Sequence, residues 1–331
     1  MTLAIVVIVV VAGASIAGAA AYYTLNPRAP SAGPHTVTVV DDLGRTVTAP
    51  INPTRVVVLA PSAMDIVYRL GLRADVVGVG CDPSPLEAGG ILNVYSTNQT
   101  VRWGLNNSDC IADYPSLDTE TVANLSTQLV ITSTITSAQD VETLTQTYGI
   151  PVVILAPNTL EGIVGDVRIV STIFPEATTT ANALESNLEA TLQNASAFVQ
   201  NLTGSGVTLP SVLLSYYYDS GGYYSYSQGT FGSSLISFMG GNNIAGTIPV
   251  QYGEVNATYV LDHQPEFILY ATSGTNTYLT SGENNATAWA FAPYWNQLNG
   301  TKIGIDVTLL SEPDPTMILA LPYLESLLYP R

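Results

Sequence analysis

Six tyrosines crowd into eleven residues: Tyr216, Tyr217, Tyr218, Tyr223, Tyr224 and Tyr226, set among the small residues of YYYDSGGYYSY. Broad aromatic faces with phenol hydroxyls form a contact surface at modest entropic cost. Such a surface suits a large, partly planar ligand. A phenolate could also ligate iron, provided a bound metal lowers a pKa near 10. The competing reading is that the rings pack on the segment's own core. Other chemistry is scarce. His35 and His263 are the two histidines and lie far apart, and Cys81 and Cys110 form neither a CxxC nor a paired metal spacing. A histidine-rich zinc or manganese site cannot be assembled from that inventory. There is no GxSxG elbow, no HExxH and no glycine-rich phosphate loop, so the expectation is binding without catalysis and without a resident cofactor or metal.

The chain has 331 residues, enough for two domains with real cores. Nine Lys and Arg stand against 26 Asp and Glu, a net charge of −17, yet only 11% of residues are charged. No basic run could neutralise a phosphate backbone, which excludes nucleic acid as a partner. The polar surface must be built from Ser, Thr, Asn, Gln and Tyr, which suits an acidic or salty exterior. Residues 3–25 are an apolar and small-residue run ending at Tyr22 and Tyr23. At about 1.5 Å per residue it reaches roughly 30 Å, one hydrocarbon thickness, with the tyrosines at an interfacial belt. It reads as a membrane anchor or, given the small residues 17–21, a cleaved signal. Either places the rest outside the cytoplasm. Sequons at Asn98, Asn106, Asn124, Asn194, Asn201, Asn256, Asn285 and Asn299 agree with export and, where glycosylated, imply surface loops.

The elements that must position the tyrosines follow an α/β rhythm. Residues 37–40 and 46–49 read as a hairpin around the turn 41–45. A buried strand at 55–62, a helix at 63–70 and a strand at 75–80 make the unit of a parallel sheet. It repeats as helix 117–125, strand 129–132, helix 138–148 and strand 151–155. From 159 to about 201 only helical spacing is present, a rigid spine. A second unit follows: strand 211–215, the tyrosine-rich loop 216–226, helix 233–239, helix 258–262, strand 267–271, short helix 294–298, strand 307–310 and closing helix 316–328. The expected organisation is an N-terminal anchor or signal (1–25), linker (26–36), first lobe (37–157), connecting spine helix (158–204) and second lobe (205–331).

Several stretches in this order resemble one family. VTVVDDLGRTVTAPINPTRVVVLAPS at 37–62, LGLRADVVGV at 70–79, Asp118-Thr119-Glu120 before Leu129-Val130-Ile131, FGSSLISFMGGNNIA at 231–245 and PEFIL at 265–269 are similar to the substrate-binding proteins of ABC importers for iron-siderophores, haem and cobalamin. The resemblance implies two Rossmann-like lobes joined by one long helix, with a ligand cleft at the carboxyl ends of the strands. Ser62, Asp82, Arg102, Trp103 and Thr134 then become first-lobe cleft candidates, opposite the six tyrosines. Trp103 would stack on the ligand or pack in the core. Arg102 would meet an anionic ligand or form an ordinary ion pair.

The resemblance also implies that Glu120 docks into permease arginines. In the second lobe the matching position falls on Thr258, with Glu254 one helical turn earlier as a substitute. Cys81 and Cys110, in cleft-side loops, form a disulfide in an oxidising exterior or remain two buried thiols. The leading expectation is an extracytoplasmic protein that delivers a bulky metal chelate or corrinoid to an ABC permease. The alternatives are a surface structural or adhesive glycoprotein, or an extracellular enzyme on a related two-lobe fold.

Overall fold

The structure is a computed structural model that describes residues 35–81, 97–112, 117–249, 251–272 and 288–330. The apolar N-terminal segment, Asp82 and Asn285 lie outside the described residues. Among the described residues no helix is long and apolar enough to cross a membrane.

The first lobe opens with the hairpin of β1 (Thr36–Val40) and β2 (Thr46–Pro50). Asp41 builds its turn: Oδ1 accepts from the Leu43 and Arg45 amides at 3.2 and 3.0 Å, and Oδ2 takes the Ile154 amide at 3.2 Å. The turn is thereby tied to the far edge of the lobe. Then follow β3 (Val56–Val58), α1 (Pro61–Arg69), β4 (Val76–Cys81), α2 (Thr97–Trp103), β5 (Cys110–Ala112), α3 (Thr119–Asn124), β6 (Leu129–Thr132), α4 (Ala138–Glu142, continued as a π turn to Thr147) and β7 (Val152–Ile154). All five core strands run parallel in the order β5-β4-β3-β6-β7. Their near-continuous valine, isoleucine and leucine content is what a sheet covered on both faces requires. The chain leaves β3 to one side and later returns to its other side at β6, so a topological switch point lies between them.

Two helices connect the lobes, α5 (Leu160–Ile173) and α6 (Thr178–Gly204), with a 3-10 turn at Pro175–Ala177 between them. This corrects the single spine helix expected over 158–204. Pro175 supplies no amide and forces Phe174 out of helical geometry, to φ −115° and ψ 73°. The 27 residues of α6 reach about 40 Å and bury Ala181, Leu188, Leu192 and Ala195 along one stripe.

The second lobe holds β8 (Ser211–Tyr218), β9 (Gly222–Tyr226), α7 (Phe231–Phe238), β10 (Asn242–Asn243), β11 (Tyr252–Asn256), α8 (Ala257–His263), β12 (Phe267–Thr272), β13 (Thr301–Asp306), α9 (Val307–Ser311), α10 (Pro315–Leu319) and α11 (Leu321–Leu328). Its sheet runs β11-β9-β8-β12-β13, with β10 beside the start of β8. Three expectations are corrected here. Residues 216–226 are not a loop but the end of β8 and all of β9, an antiparallel hairpin closed by Asp219, whose Oδ1 accepts the Gly221 amide at 2.7 Å. The strand expected at 307–310 is helix α9, capped by Asp306 at the end of β13. The closing helix is divided into α10 and α11, because Pro322 is a first-turn residue and starts a new helix.

Cys81 and Cys110 sit on the adjacent parallel strands β4 and β5 rather than in loops, and they are disulfide-bonded with Cα atoms 5.6 Å apart. Closing a loop of 29 residues restricts the unfolded chain by about 3.5 kcal/mol. Cys81→Ala with Cys110→Ala should lower the thermal midpoint by roughly 5–10 °C in a melting curve followed by circular dichroism.

Candidate functional site

A cavity of about 500 Å³ lies between the lobes. Its first-lobe wall is made by residues that follow β3, β6 and β7: Ala60 to Ser62, Ser133 to Ile135, and Leu155 to Asn158. These are the carboxyl ends of the strands around the switch point, where open α/β sheets bind ligands. Asp42 and Leu43 of the hairpin turn complete that wall. Ser62 is the second residue of α1, whose first position is Pro61 and whose N-terminus carries no side-chain cap. Ile135 and Leu43 reach into solvent at 63% and 53% exposure, giving the mouth an apolar rim.

The opposite wall is aromatic. Tyr216, Tyr226, Phe231 and Tyr252 line it, with Gln251 and Ser311 to Pro313. The Tyr226 ring is the hub, with centroids 5.0 Å from Tyr216, 5.1 Å from Phe231 and 5.7 Å from Tyr252. Its hydroxyl donates to the Leu310 carbonyl at 2.9 Å. Gly232 lets the start of α7 approach the ring, since a Cβ there would stand 2.3 Å from Tyr226 Cγ.

A β-bulge chooses which tyrosines reach the cavity. Ser215 pairs with Ser225 but Tyr217 pairs with Tyr224, so Tyr216 is an extra residue in β8. One inserted residue reverses the side-chain phase beyond it. Tyr216 and Tyr217 thus share a face with Tyr224 and Tyr226. Tyr218 and Tyr223 turn to the other face and pack on Trp289, at 4.9 and 6.5 Å. The buried Ser215 hydroxyl sits in the bulge, 2.8 and 2.9 Å from the carbonyls of Tyr217 and Tyr224. Of the six tyrosines expected in the cleft, Tyr216 and Tyr226 line it. Tyr223 donates instead to the Pro293 carbonyl at 2.6 Å, Tyr224 donates to Asp219 at 3.2 Å, and Tyr217 leans on Tyr224 at 5.3 Å.

Ser62 and Thr134 line the cavity as expected from sequence. Arg102 and Trp103 do not. Trp103 is buried in the first-lobe core at 2% exposure. Arg102 pairs with Asp65 at 3.3 Å and lies over the Tyr68 ring at 5.4 Å. Both border a separate cavity of about 220 Å³ with Asp306 and Asp314. Glu120 is exposed in the first turn of α3. Glu254 is not one helical turn before Thr258; it lies on β11, paired with Tyr224 and packed against Gly221, while Thr258 is in the first turn of α8. Of the sequon asparagines, Asn106, Asn124, Asn194, Asn201, Asn256 and Asn299 are exposed. They are not all in loops: Asn194 and Asn201 lie within α6, and the Asn106 and Asn256 side chains are spent capping helices. Asn98 falls in α2.

Sequence reasoning missed Tyr252, Phe231, Asn158, Asp42 and Glu312. The alternation of Tyr252, Glu254 and Asn256 with buried Gly253 and Val255 is a strand signal that could have found Tyr252. Nothing local marks Glu312. It accepts a 2.7 Å bond from Gln99 Nε2 of the first lobe. Burial, with the charges of Asp65 and Asp306, pushes its carboxyl up to about 8, against the lowering effect of the Gln99 bond. Burial likewise holds Asp314 well above the usual range, with Asp65 and Glu312 adding to it, and raises Asp166 beside Asp42. Burial also raises the phenols of Tyr216, Tyr226 and Tyr252. These phenols therefore keep their protons at neutral pH, and the Tyr226 hydroxyl is already committed to the Leu310 carbonyl.

A sequence profile described as periplasmic binding protein matches residues 56–288. None of the curated proteins matches the chain by sequence. Among solved structures, the periplasmic haem-binding protein RhuT of Roseiflexus sp. RS-1 in apo form superposes with a TM-score of 0.61 at 22% identity, covering 83% of this chain and 97% of that one. The periplasmic vitamin B12 binding protein BtuF of Vibrio cholerae gives 0.61 at 20% identity, covering 85% and 98%. The molybdate periplasmic binding protein MolA of Haemophilus influenzae gives 0.66 at 17% identity, covering 89% and 91%. The likeness is one of fold.

Glu312 holds its proton more tightly folded than unfolded. Its stabilising contribution is full below about 4.5 and is lost as pH rises toward about 8. Thermal midpoints measured across that window should fall with pH, and Glu312→Gln should flatten the decline. Gly232→Ala should displace the Tyr226 ring, visible as a changed near-ultraviolet circular dichroism spectrum with the far-ultraviolet spectrum retained.

Proposed function

The chain belongs to the periplasmic binding protein family, and on that premise we propose that it is an extracytoplasmic solute-binding protein that takes a bulky metal-chelate-type ligand into the inter-lobe cleft and delivers it to an ABC importer. The ligand would be an iron-siderophore, haem or a corrinoid. The observation that carries the reading is the tyrosine-lined cavity at the switch point between the two lobes. A volume of about 500 Å³ falls within the range of small-molecule sites. Its mix of aromatic faces, hydroxyls and apolar rim suits a large ligand that is partly planar and rich in oxygen acceptors. The solved relatives named as haem-binding and vitamin B12 binding proteins support a chelate-type ligand. Binding rather than catalysis is the role of this family, and the apolar segment 3–25 would export or anchor the lobes.

Delivery needs a docking surface. Glu120, exposed and in the first turn of α3, is the first-lobe candidate for a permease guanidinium. On the second lobe Glu254 stands on the hairpin side of β11 and would serve as its counterpart. The long helix α6 would keep closure of the lobes small.

Two outcomes follow. Titration of the full-length protein with ferric chelates, haem or cobalamin should quench its tyrosine and tryptophan fluorescence saturably, and silence with every one of them would sink the reading. Glu120→Ala should lower uptake in a reconstituted transport assay while ligand affinity stays unchanged; an equal loss of affinity would move Glu120 out of the docking role.

A further inference from the structure

Recognition in the cleft has to be achieved almost without positive charge. The sequence holds nine Lys and Arg. Seven lie among the described residues, and each is engaged away from the cavity. Arg45 is held by Asp41 and the Val152 carbonyl, Arg55 by the Leu125 carbonyl, and Arg73 by Asp109. Arg69 and Arg102 both serve Asp65. Arg168 bridges Glu185 and Glu189, and Lys302 donates to the Leu298 carbonyl. His263 sits 2.8 Å from the Tyr259 carbonyl on α8. Stretches 82–96, 113–116 and 273–287 contain no Lys, Arg or His in their sequences, so they bring no cation to any site.

The acidic side chains that line the cavity are Asp42 and Glu312. The surroundings of Glu312 oppose negative charge strongly enough to hold its carboxyl up to about 8, through burial and the charges of Asp65 and Asp306. One feature acts the other way. The uncapped N-terminus of α1 points partial positive charge, about half a unit, toward the same cavity. That suits a carbonyl or hydroxyl oxygen. It does not neutralise a full anion beside Asp42, in surroundings that already favour the protonated form of Glu312, and burying an unpaired anion is strongly unfavourable.

From this we infer that the cleft is a charge filter: it takes chelates that are neutral or cationic overall and rejects anionic ones, with Asp42 and the acidic surroundings of Glu312 setting the preference. The inference rests on the capture reading above and narrows its ligand class. Among iron chelates it favours hydroxamate-type complexes over catecholate or carboxylate ones. Among macrocycles it favours a neutral corrinoid over a porphyrin bearing free carboxylates.

The test is a binding panel on the full-length protein by isothermal titration calorimetry at fixed ionic strength. The probes are a monocationic linear ferric trihydroxamate, a neutral cyclic ferric trihydroxamate, cyanocobalamin, a trianionic ferric tricatecholate, haem and molybdate. At least one neutral or cationic probe should bind, and the anionic probes should be weaker by about 100-fold or more. Asp42→Asn should cost a bound cationic probe about tenfold and narrow the gap to the anionic probes, and Glu312→Gln should do so only above about pH 8, where the Glu312 carboxyl ionises. Tightest binding of the tricatecholate, haem or molybdate would overturn the charge filter and leave solute capture standing. An unchanged order of affinities in Asp42→Asn at neutral pH, and in Glu312→Gln above about pH 8, would remove those residues from the role. No binding by any probe would overturn the capture reading, and the filter with it.

Discussion

A carboxylate shut away from water must be neutralised where it stands, and Asp65 imposes that condition on the join between the lobes. It lies on α1 with no exposed side-chain surface. Arg69 Nε reaches Oδ2 at 2.5 Å and Arg102 reaches Oδ1 at 3.3 Å. The Thr316 hydroxyl donates to Oδ2 at 3.1 Å while accepting from Arg69 at 2.8 Å. Thr316 belongs to α10, so one network holds a first-lobe helix against the C-terminal helices. Removing one partner of such a buried pair costs about 3–5 kcal/mol, because the other charge is left unpaired. Gln99 and Glu312 extend the same join to the cleft wall.

That join explains why the site looks as it does. The chain is poor in charge, and its cations are consumed by structure: two at Asp65, one in the Asp41 turn, one on the spine at Glu185 and Glu189. The cleft is left with phenols, hydroxyls, amides and carboxyl groups. Raised pKa values at Glu312, Asp314 and Asp166 have the same origin, burial of acids with too little positive charge nearby. The solved relatives share the frame at about 20% identity, and their names span haem, vitamin B12 and molybdate. The frame provides a cleft at the carboxyl ends of the strands; the side chains there decide what enters it.

The second lobe shows how finely that decision is made. One extra residue, Tyr216, sends two neighbouring rings to the cleft side and the next to the core. Glycine permits the two close approaches beside it. A Cβ on Gly222 would stand 2.1 Å from the Val255 carbonyl, and one on Gly232 would enter the Tyr226 ring. The hairpin, its partner strand β11 and the start of α7 can close around one aromatic cluster only because these positions carry no side chain.

By itself the sequence determined the two α/β lobes, the helical connection, the tyrosine-rich segment and the near absence of cations. These are local properties: period-two and period-3.6 apolar patterns, proline and glycine positions, and composition. Ser62 and Thr134 were legible for the same reason, since they follow buried strands. The tertiary structure alone decided that residues 216–226 are a hairpin, that a bulge divides the tyrosines between cleft and core, and that Arg102 and Trp103 face Asp65 and the core. It alone brought Glu312 to Gln99 and Asp42 to Asp166. Those outcomes depend on strand register and on partners distant in the chain, 213 residues apart for Gln99 and Glu312. A one-residue shift in pairing reverses every side chain beyond it, and no local pattern in the chain records where that shift occurs.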